Sequence, residues 1–396
     1  METKEKYMRV ATTLIKVVQR PLIGGDTIEE RIPWSYEALR QDYGKNNLPE
    51  IEKYDGFCII PDHVNYRKVH GTHLNLYELL AHRPAEGEFP NIRVFLSHIF
   101  GEQIELGMDY LQLLYLRPTQ MLPILLLVSS ERNTGKTTFL RFLKMIFGKN
   151  ATFNTNDDFR SQFNADWTNR LLVLVDELLL NKIEDTEKIK NLSTASDYKV
   201  EAKGKDRREI EFFAKFVLCS NNERNPIIIP QEEVRFWVRR IAPIPHDDIH
   251  LRAKMEGEVP HFLHFLLCRK LSTRQESRMW FAPALLETPA LRKIKKYNTN
   301  KIEAEIAAYC VEVMDRRGEN RVSCCPKDMM DIVRDAGLKA DLTQIRSIFK
   351  DSWELRSDKN SEYTFYHVGT EGDLFPMKRK GRYYEVPREL VEKLLL

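Results

Sequence analysis

The stretch PILLLVSSERNTGKTTFLRFLKMIFG, residues 123–148, runs from an apolar segment through a polar turn into GKTT and an amphipathic segment. That order suits a buried strand, a phosphate-binding loop and a helix. Such a loop turns sharply and aims backbone N–H groups at one point, where the positive end of a helix dipole adds to them. Gly135 lets the backbone approach a phosphate, Lys136 reaches the β- and γ-phosphates, and Thr137 offers a hydroxyl to Mg2+. Phe139, Phe142, Leu143 and Ile146 share one helical face, and Gly148 fits the C-cap. The pattern G-x-x-x-x-G-K-[ST] is broken at one place: Ser130 stands where the first glycine is expected, and its side chain demands ordinary backbone angles. The candidate nucleotide contacts are Ser130, Asn133, Thr134, Gly135, Lys136, Thr137 and Thr138.

The missing glycine makes a second motif necessary, and NRLLVLVDELLL supplies it. Leu171–Val175 reads as a buried strand, with Asp176 and Glu177 at its carboxyl end, where open α/β sheets bind ligands. Asp176 is the expected Mg2+ partner, and Glu177 the group that orients and polarises an attacking water. A strand ending in Asp-Glu is common by itself; downstream of a P-loop it is specific.

A third apolar strand, in FFAKFVLCSNNERNPIIIP, ends in Ser220-Asn221-Asn222. An amide at that tip can sense the γ-phosphate or position water, though Asn is also an ordinary turn residue. Before it, DYKVEAKGKDRREIEFF alternates, turns at Lys203-Gly204-Lys205-Asp206 and resumes, which is a hairpin with a basic tip. Lys199, Lys203, Lys205, Arg207 and Arg208 concentrate positive charge there; an exposed, merely solvated turn is the plain alternative.

The order P-loop, Asp-Glu strand, basic hairpin, Asn strand, then EEVRFWVRRIAPIP resembles the superfamily 3 helicases, AAA+ ATPases of viruses, phages and integrated elements. The likeness is greatest to the phage and mobile-element branch of the poxvirus-type primase-helicases. It covers about residues 90–285, and YDGF, NADWTNR and EVPHFLHFL extend it loosely. The resemblance implies a ring, a hexamer, with ATP and Mg2+ between subunits and the hairpin lining a channel that grips single-stranded or forked DNA. Lys203 and Lys205 would be the tip residues, with Arg207 beside them, and Asn221 the sensor. An arginine finger acting in trans would come from RFWVRR, with Arg240 favoured, then Arg235, and Arg239 also a candidate. No primase signature is visible in residues 1–90, so a separate primase or polymerase is the implied partner.

Composition agrees with a soluble globular chain: 396 residues, 42% hydrophobic, 30% charged. That length implies about two or three domains. The longest apolar run, Met121–Val128, is far below the ~20 residues that span a bilayer, and METKEKYMRV lacks the apolar core of a signal peptide. A cytoplasmic protein is expected, in the bacterial host if the chain is phage-derived. The 6 cysteines are scattered without C-x-x-C spacing, which fits reduced core thiols rather than zinc or a disulfide framework. Net charge is only +3, so nucleic-acid contact must come from local clusters.

The expected layout is an α+β segment over 1–90, an α/β AAA+ P-loop core with a largely parallel sheet over 91–285, a linker over 286–300, and a winged-helix-like module over 301–396. The linker rests on a weakened apolar pattern and gathered basic residues; the module rests on three helices (302–316, 326–336, 341–350) followed by a hairpin of EYTFYHV and GRYYEV. KRKGR, Lys378–Arg382, lies where a wing could touch phosphate or simply be solvated. The leading functional expectation is an ATP-dependent DNA helicase of a replicating element. Its rivals are an ATP-switched initiator or loader, which binds DNA with little unwinding, and a packaging or defence ATPase.

Overall fold

The first strands carry apolar residues on short, interrupted faces, so they form a small sheet with buried clusters of its own rather than a central one. A computed structural model describes residues 6–21, 23, 27–160, 169–180, 183–195, 197–200, 208–223, 225–245, 248–357, 360–368 and 373–395. β1 (Lys6–Val10), β2 (Thr13–Pro21) and β3 (Thr27–Trp34) form an antiparallel meander; α1 (Tyr36–Tyr43) follows, and β4 (Ile51–Tyr54) returns parallel to β1. Ser35 caps α1, its side chain accepting from the Ala38 N–H at 3.0 Å. β5 (Gly56–Cys58), β6 (Val69–His70) and β7 (His73–Asn75) make a small second sheet.

Two helices then precede the core, as the sequence indicates: α2 (Pro90–Phe100) and α3 (Ile104–Leu116). The core follows as β8 (Ile124–Val128), α4 (Lys136–Phe147), β9 (Ala151–Asn154), α5 (Asn156–Arg160), β10 (Leu172–Val175), α6 (Ile183–Ser193), β11 (Asp197–Val200), β12 (Arg208–Glu211), β13 (Lys215–Ser220), β14 (Phe236–Arg240) and α7 (Leu251–Cys268). Its sheet has the order β14-β8-β13-β10-β9, and every pairing is parallel. Helices cover both faces. Leu125, Leu127, Leu172, Leu174, Val217 and Trp237 pack with α2, α3, α4 and α7 on one side. Ile124, Leu126, Val173, Val175, Phe216 and Val238 form the other core. This two-sided burial explains why the strands read as continuous apolar runs. It is the α/β P-loop NTPase core expected from the sequence. β11 and β12 pair antiparallel, as the predicted hairpin requires. β9 and β14 escape the sequence reading: β9 is a short edge strand, and the arginines of FWVRR mask a strand whose first four residues are buried.

The stretch 286–300 is not a linker. After α8 (Pro283–Leu286), one continuous helix, α9, runs Pro289–Arg317, about 43 Å at 1.5 Å per residue. Thr288 caps it: its Oγ1 accepts from the Leu291 N–H at 3.1 Å and donates to the Val238 carbonyl at 2.6 Å. Leu291 and Ile294 pack on the sheet, whereas Ile302, Ile306, Cys310 and Val313 belong to the C-terminal core. The apolar pattern weakens in between because only a narrow stripe of the helix is buried there.

The C-terminal module continues with β15 (Arg321–Cys324), α10 (Pro326–Asp335), α11 (Leu342–Ser347), β16 (Ser361–Val368), β17 (Leu374–Gly381), β18 (Tyr384–Pro387) and α12 (Arg388–Leu395). Helix, strand, two helices and a hairpin in that order are the winged-helix arrangement. The hairpin differs from the expected one. β16 pairs with Leu374–Gly381, a mostly exposed and basic strand with little apolar signal; the YYEV segment instead lies against β15. Among the described residues, no helix is long and apolar enough to cross a membrane.

Candidate nucleotide site

The carboxyl ends of β8, β10, β13 and β14 lie side by side because the sheet is parallel, and each ends in polar residues. The loop after β8 reaches α4 through two left-handed residues, Asn133 (φ 53°) and Gly135 (φ 85°). A Cβ on Gly135 would sit 3.1 Å from Ile244 Cδ1 and 3.2 Å from Phe95 Cε2, so a side chain there would be strained in its backbone and tight against both neighbours. The loop is held from outside. His98 Nε2 lies 3.1 Å from the Thr134 carbonyl oxygen, and the Ile244 N–H donates to the Asn133 carbonyl at 2.9 Å. Ser130 lies outside the left-handed region, which is why a serine replaces glycine there without strain.

Lys136 is buried, and its Nζ donates to Thr134 Oγ1 at 3.0 Å. Burial lowers its pKa, against the attraction of Asp176 and Glu223. Thr137 Oγ1 donates to Asp176 Oδ2 at 2.7 Å. Thus the P-loop hydroxyl meets the acid at the end of β10, although the two are far apart in sequence. A hydroxyl beside a carboxylate is a hard oxygen pair of the kind Mg2+ accepts, and a partly desolvated ammonium beside it suits a polyphosphate. Thr138 is half-buried in the first turn of α4.

Glu177 is exposed and held at φ 57°, an unfavourable value for a residue with a Cβ. Its backbone is fixed by neighbours. Asn156 Nδ2 donates to the Glu177 carbonyl at 3.2 Å, Asn156 Oδ1 accepts from the Leu179 N–H at 3.1 Å, and the Leu178 N–H donates to the Cys219 carbonyl at 2.7 Å. Asn221 is exposed at the tip of β13, while Ser220 and Asn222 are used in the turn: Ser220 Oγ donates to the Leu178 carbonyl at 2.6 Å and accepts from the Asn222 N–H at 3.2 Å.

The three arginines of RFWVRR have different surroundings. Arg235, before the amino end of β14, is at the opposite end of the sheet from the P-loop and is bound by Glu233 at 2.9 Å, in a group that includes Lys190. Arg239 is buried and bonded to Glu102 at 2.6 Å and Gln103 at 3.0 Å. Arg240 alone is exposed at the site, its Nε 3.0 Å from Glu223 Oε1. That same oxygen accepts the Ser130 N–H at 3.0 Å and the Ser130 hydroxyl at 3.2 Å. Lys203, Lys205 and Arg207 lie outside the described residues.

Comparison with known proteins adds the following. A family model described as a family of unknown function, DUF5906, matches residues 127–240, from the end of β8 to the end of β14. No curated protein matches the chain. The apo structure of the C-terminal region of NrS-1, residues 305–718, is similar over 96% of this chain and 95% of that chain, with TM-score 0.58 and 14% identity. An A-form apo structure of the same region gives TM-score 0.56 at 14% identity, over 96% of each chain. JCV helicase bound to a thiazolopyridine acetamide aligns with 52% of this chain and 58% of that chain at 17% identity, with a TM-score of 0.29 that bears no weight. The NrS-1 likeness is one of fold, and its coverage takes in the segments on both sides of the core.

Glu223, Lys293 and Asn156 are absent from the sequence reading. Glu223 binds Ser130 and Arg240 and also accepts from Lys293 Nζ of α9 at 3.2 Å. Its carboxyl is pulled down to about 2: burial opposes ionisation, but the Ser130 N–H, Arg240 and Lys293 together outweigh it. A lone acid in a turn and a lysine in a basic stretch carry no local signal. Only the parallel sheet and α9 bring them to the P-loop.

Proposed function

We propose that the chain is an ATP-dependent DNA helicase, a ring-shaped translocase on single-stranded DNA that serves replication of a phage or mobile element. The observation that carries this reading is the 2.7 Å contact between Thr137 and Asp176, which joins the P-loop to the Asp-Glu strand. Thr137 and Asp176 are the groups that would hold Mg2+, and Ser130, Asn133, Thr134, Gly135, Lys136 and Thr138 frame the phosphates of ATP. The metal ion, when bound, supplies charge neutralisation on the phosphate oxygens. Glu177 orients the attacking water and accepts its proton, and Asn221 on the adjacent strand tip faces the terminal phosphate.

The subunits form a hexamer, and the β11–β12 hairpin, with Lys203, Lys205 and Arg207, grips the strand in the channel. A separate primase or polymerase works with it in the host cytoplasm. Motif order, and a sheet that sets the P-loop strand between the Asn strand and the arginine strand, support the superfamily 3 reading. Arg240 is the arginine assigned to the terminal phosphate. Its ion pair to a carboxylate that also binds its own P-loop favours action within the subunit; the trans role is the alternative.

Strand displacement on forked DNA with ATP, run beside ATPase assays with and without single strands, tests the proposal. Unwinding with stimulated hydrolysis is expected. DNA binding that depends on ATP without unwinding would point to an initiator or loader, and no hydrolysis at all would end the nucleotide reading.

A further inference from the structure

A cleft of about 1000 Å³ opens in the C-terminal module between α10, α11 and the hairpin strand β17. Lys327 and Arg346 line its helical wall, and Lys380 and Arg382 line the hairpin wall; all four are exposed. Asp328, also in the lining, is buried and already neutralised, bonded to Arg379 and to the Tyr363 hydroxyl. Arg379 in turn lies over the Phe365 ring, 4.3 Å from its centroid. This buried set fastens the hairpin to α10, so the two basic walls stand in a fixed relation.

The concentration of charge is local. Across 301–396, acidic and basic side chains are nearly equal in number, yet the cleft gathers cations. Among the described residues, no ion pair engages Lys327, Arg346 or Arg382; Lys380 has Glu362 directly opposite on β16. Unpaired cations on two rigid walls are suited to a polyanion passing between them.

We infer that this cleft binds the sugar–phosphate backbone of double-stranded DNA. Single-strand sites pair cations with exposed aromatic faces on which bases stack. Here the lining tyrosines offer none: Tyr363 and Tyr384 are only 7% and 8% exposed. Contacts limited to phosphate favour the polyanion of higher charge density, which is the duplex. The inference is independent of the nucleotide site, since it concerns binding without ATP. It gives the chain a second DNA contact, distinct from the hairpin of the core.

The test uses the full chain and a labelled blunt duplex, with a single strand of equal length beside it, by fluorescence anisotropy over a salt series without nucleotide. K327A/R346A/R382A is compared with the parent and with K45A/K149A/K270A, which removes equal charge at exposed positions elsewhere. The cleft variant should lose about tenfold or more in duplex affinity, and its slope of log affinity against log salt should become shallower by about two to three. Single-strand affinity, single-strand-stimulated ATPase and the melting temperature should stay as in the parent. Unchanged duplex binding overturns the inference and leaves the cleft to an acidic protein or to solvent. Equal losses on duplex and single strand, or in the control variant, overturn it as well, because net charge would then suffice. If the triple variant misfolds, Arg346→Glu alone carries the test with the same outcomes.

Discussion

Arg240 Nε lies 3.0 Å from Glu223 Oε1, the oxygen that also accepts the Ser130 N–H at the start of the P-loop. Glu223 therefore joins the ends of β8 and β14, and through Lys293 it joins α9, which continues into the C-terminal core. Its side chain is 9% exposed, whereas Arg240 and Lys293 are more than half exposed. Solvent screening limits what those partners contribute, so the clasp is worth on the order of 1–2 kcal/mol. The folded carboxyl titrates near 2, below its ordinary range. A depressed carboxyl stabilises the fold fully above its unfolded pKa and progressively less as pH falls toward the folded one. Urea melts of Glu223→Gln should show a constant deficit against the parent from pH 7 to about 5 and a narrowing deficit below about 4.5. A deficit that does not change between pH 6 and pH 3.5 would show that the ionised form of Glu223 contributes nothing.

Lys136→Ala should abolish most ATP binding, because the phosphates lose the P-loop ammonium. Glu177→Gln should keep nucleotide affinity within about twofold and reduce turnover by about 10²-fold or more, since Thr137 and Asp176 remain while the base is lost. Equilibrium binding of a fluorescent nucleotide and steady-state hydrolysis separate the two. Turnover at the parent rate in the Gln variant would remove Glu177 from the mechanism.

Ser130→Gly should leave hydrolysis nearly unchanged or slightly lower. The backbone at Ser130 does not occupy the left-handed region, so glycine adds only unfolded-state freedom, and the Ser130 hydroxyl bond to Glu223 is lost. A large gain in hydrolysis would mean that the serine obstructs the loop.

Most of the core was legible because parallel strands buried on both faces announce themselves as apolar runs, and because P-loop chemistry is local to Gly135–Thr137. Thr137 and Asp176 lie within hydrogen-bond distance, a contact that the order of their motifs anticipates. What stayed hidden depends on long-range placement. Glu223 matters only because β13 lies beside β8. Lys293 matters only because α9 docks on β14 through Thr288. The same docking gives a stretch whose weak apolar pattern reads as a linker three contacts with the core domain: Thr288 to Val238, Leu291 and Ile294 to the apolar core, and Lys293 to Glu223. In the C-terminal module the exposed strand β17 has no alternating apolar face, so its pairing with β16 could not be read from residue type.

The tip of the β11–β12 hairpin carries the next test. K203A/K205A should spare basal hydrolysis and lose most of its stimulation by single-stranded DNA. Single-strand affinity should fall more at low salt than at high salt, because unscreened phosphate contacts are what is removed. The blunt-duplex affinity assigned to the C-terminal cleft should persist in this variant. An unchanged single-strand salt series would return the hairpin to an ordinary exposed turn.

The last prediction decides on which side of a subunit boundary Arg240 acts. In trans, an intact P-loop in one subunit could pair with an intact Arg240 from its neighbour. Mixing Arg240→Ala with Lys136→Ala would then restore part of the ATPase activity, and the restoration would fade on dilution below the assembly concentration. In cis, the arginine and the P-loop must be intact in the same chain, and no mixture of those two variants supplies both. Arg240 shares Glu223 with the Ser130 N–H of its own chain, so mixing is expected to restore nothing while each variant folds and assembles normally. Arg239→Ala should behave differently from both: its side chain is buried but its Glu102 partner is exposed to solvent, so its removal should cost about 1–2 kcal/mol of stability before any effect on turnover is read. Rescue on mixing would assign Arg240 to the neighbouring site and make the Glu223 pair a resting position. Absence of rescue keeps Arg240 in the site of its own chain, and Arg235→Ala mixed with Lys136→Ala then asks whether a second arginine acts across the boundary.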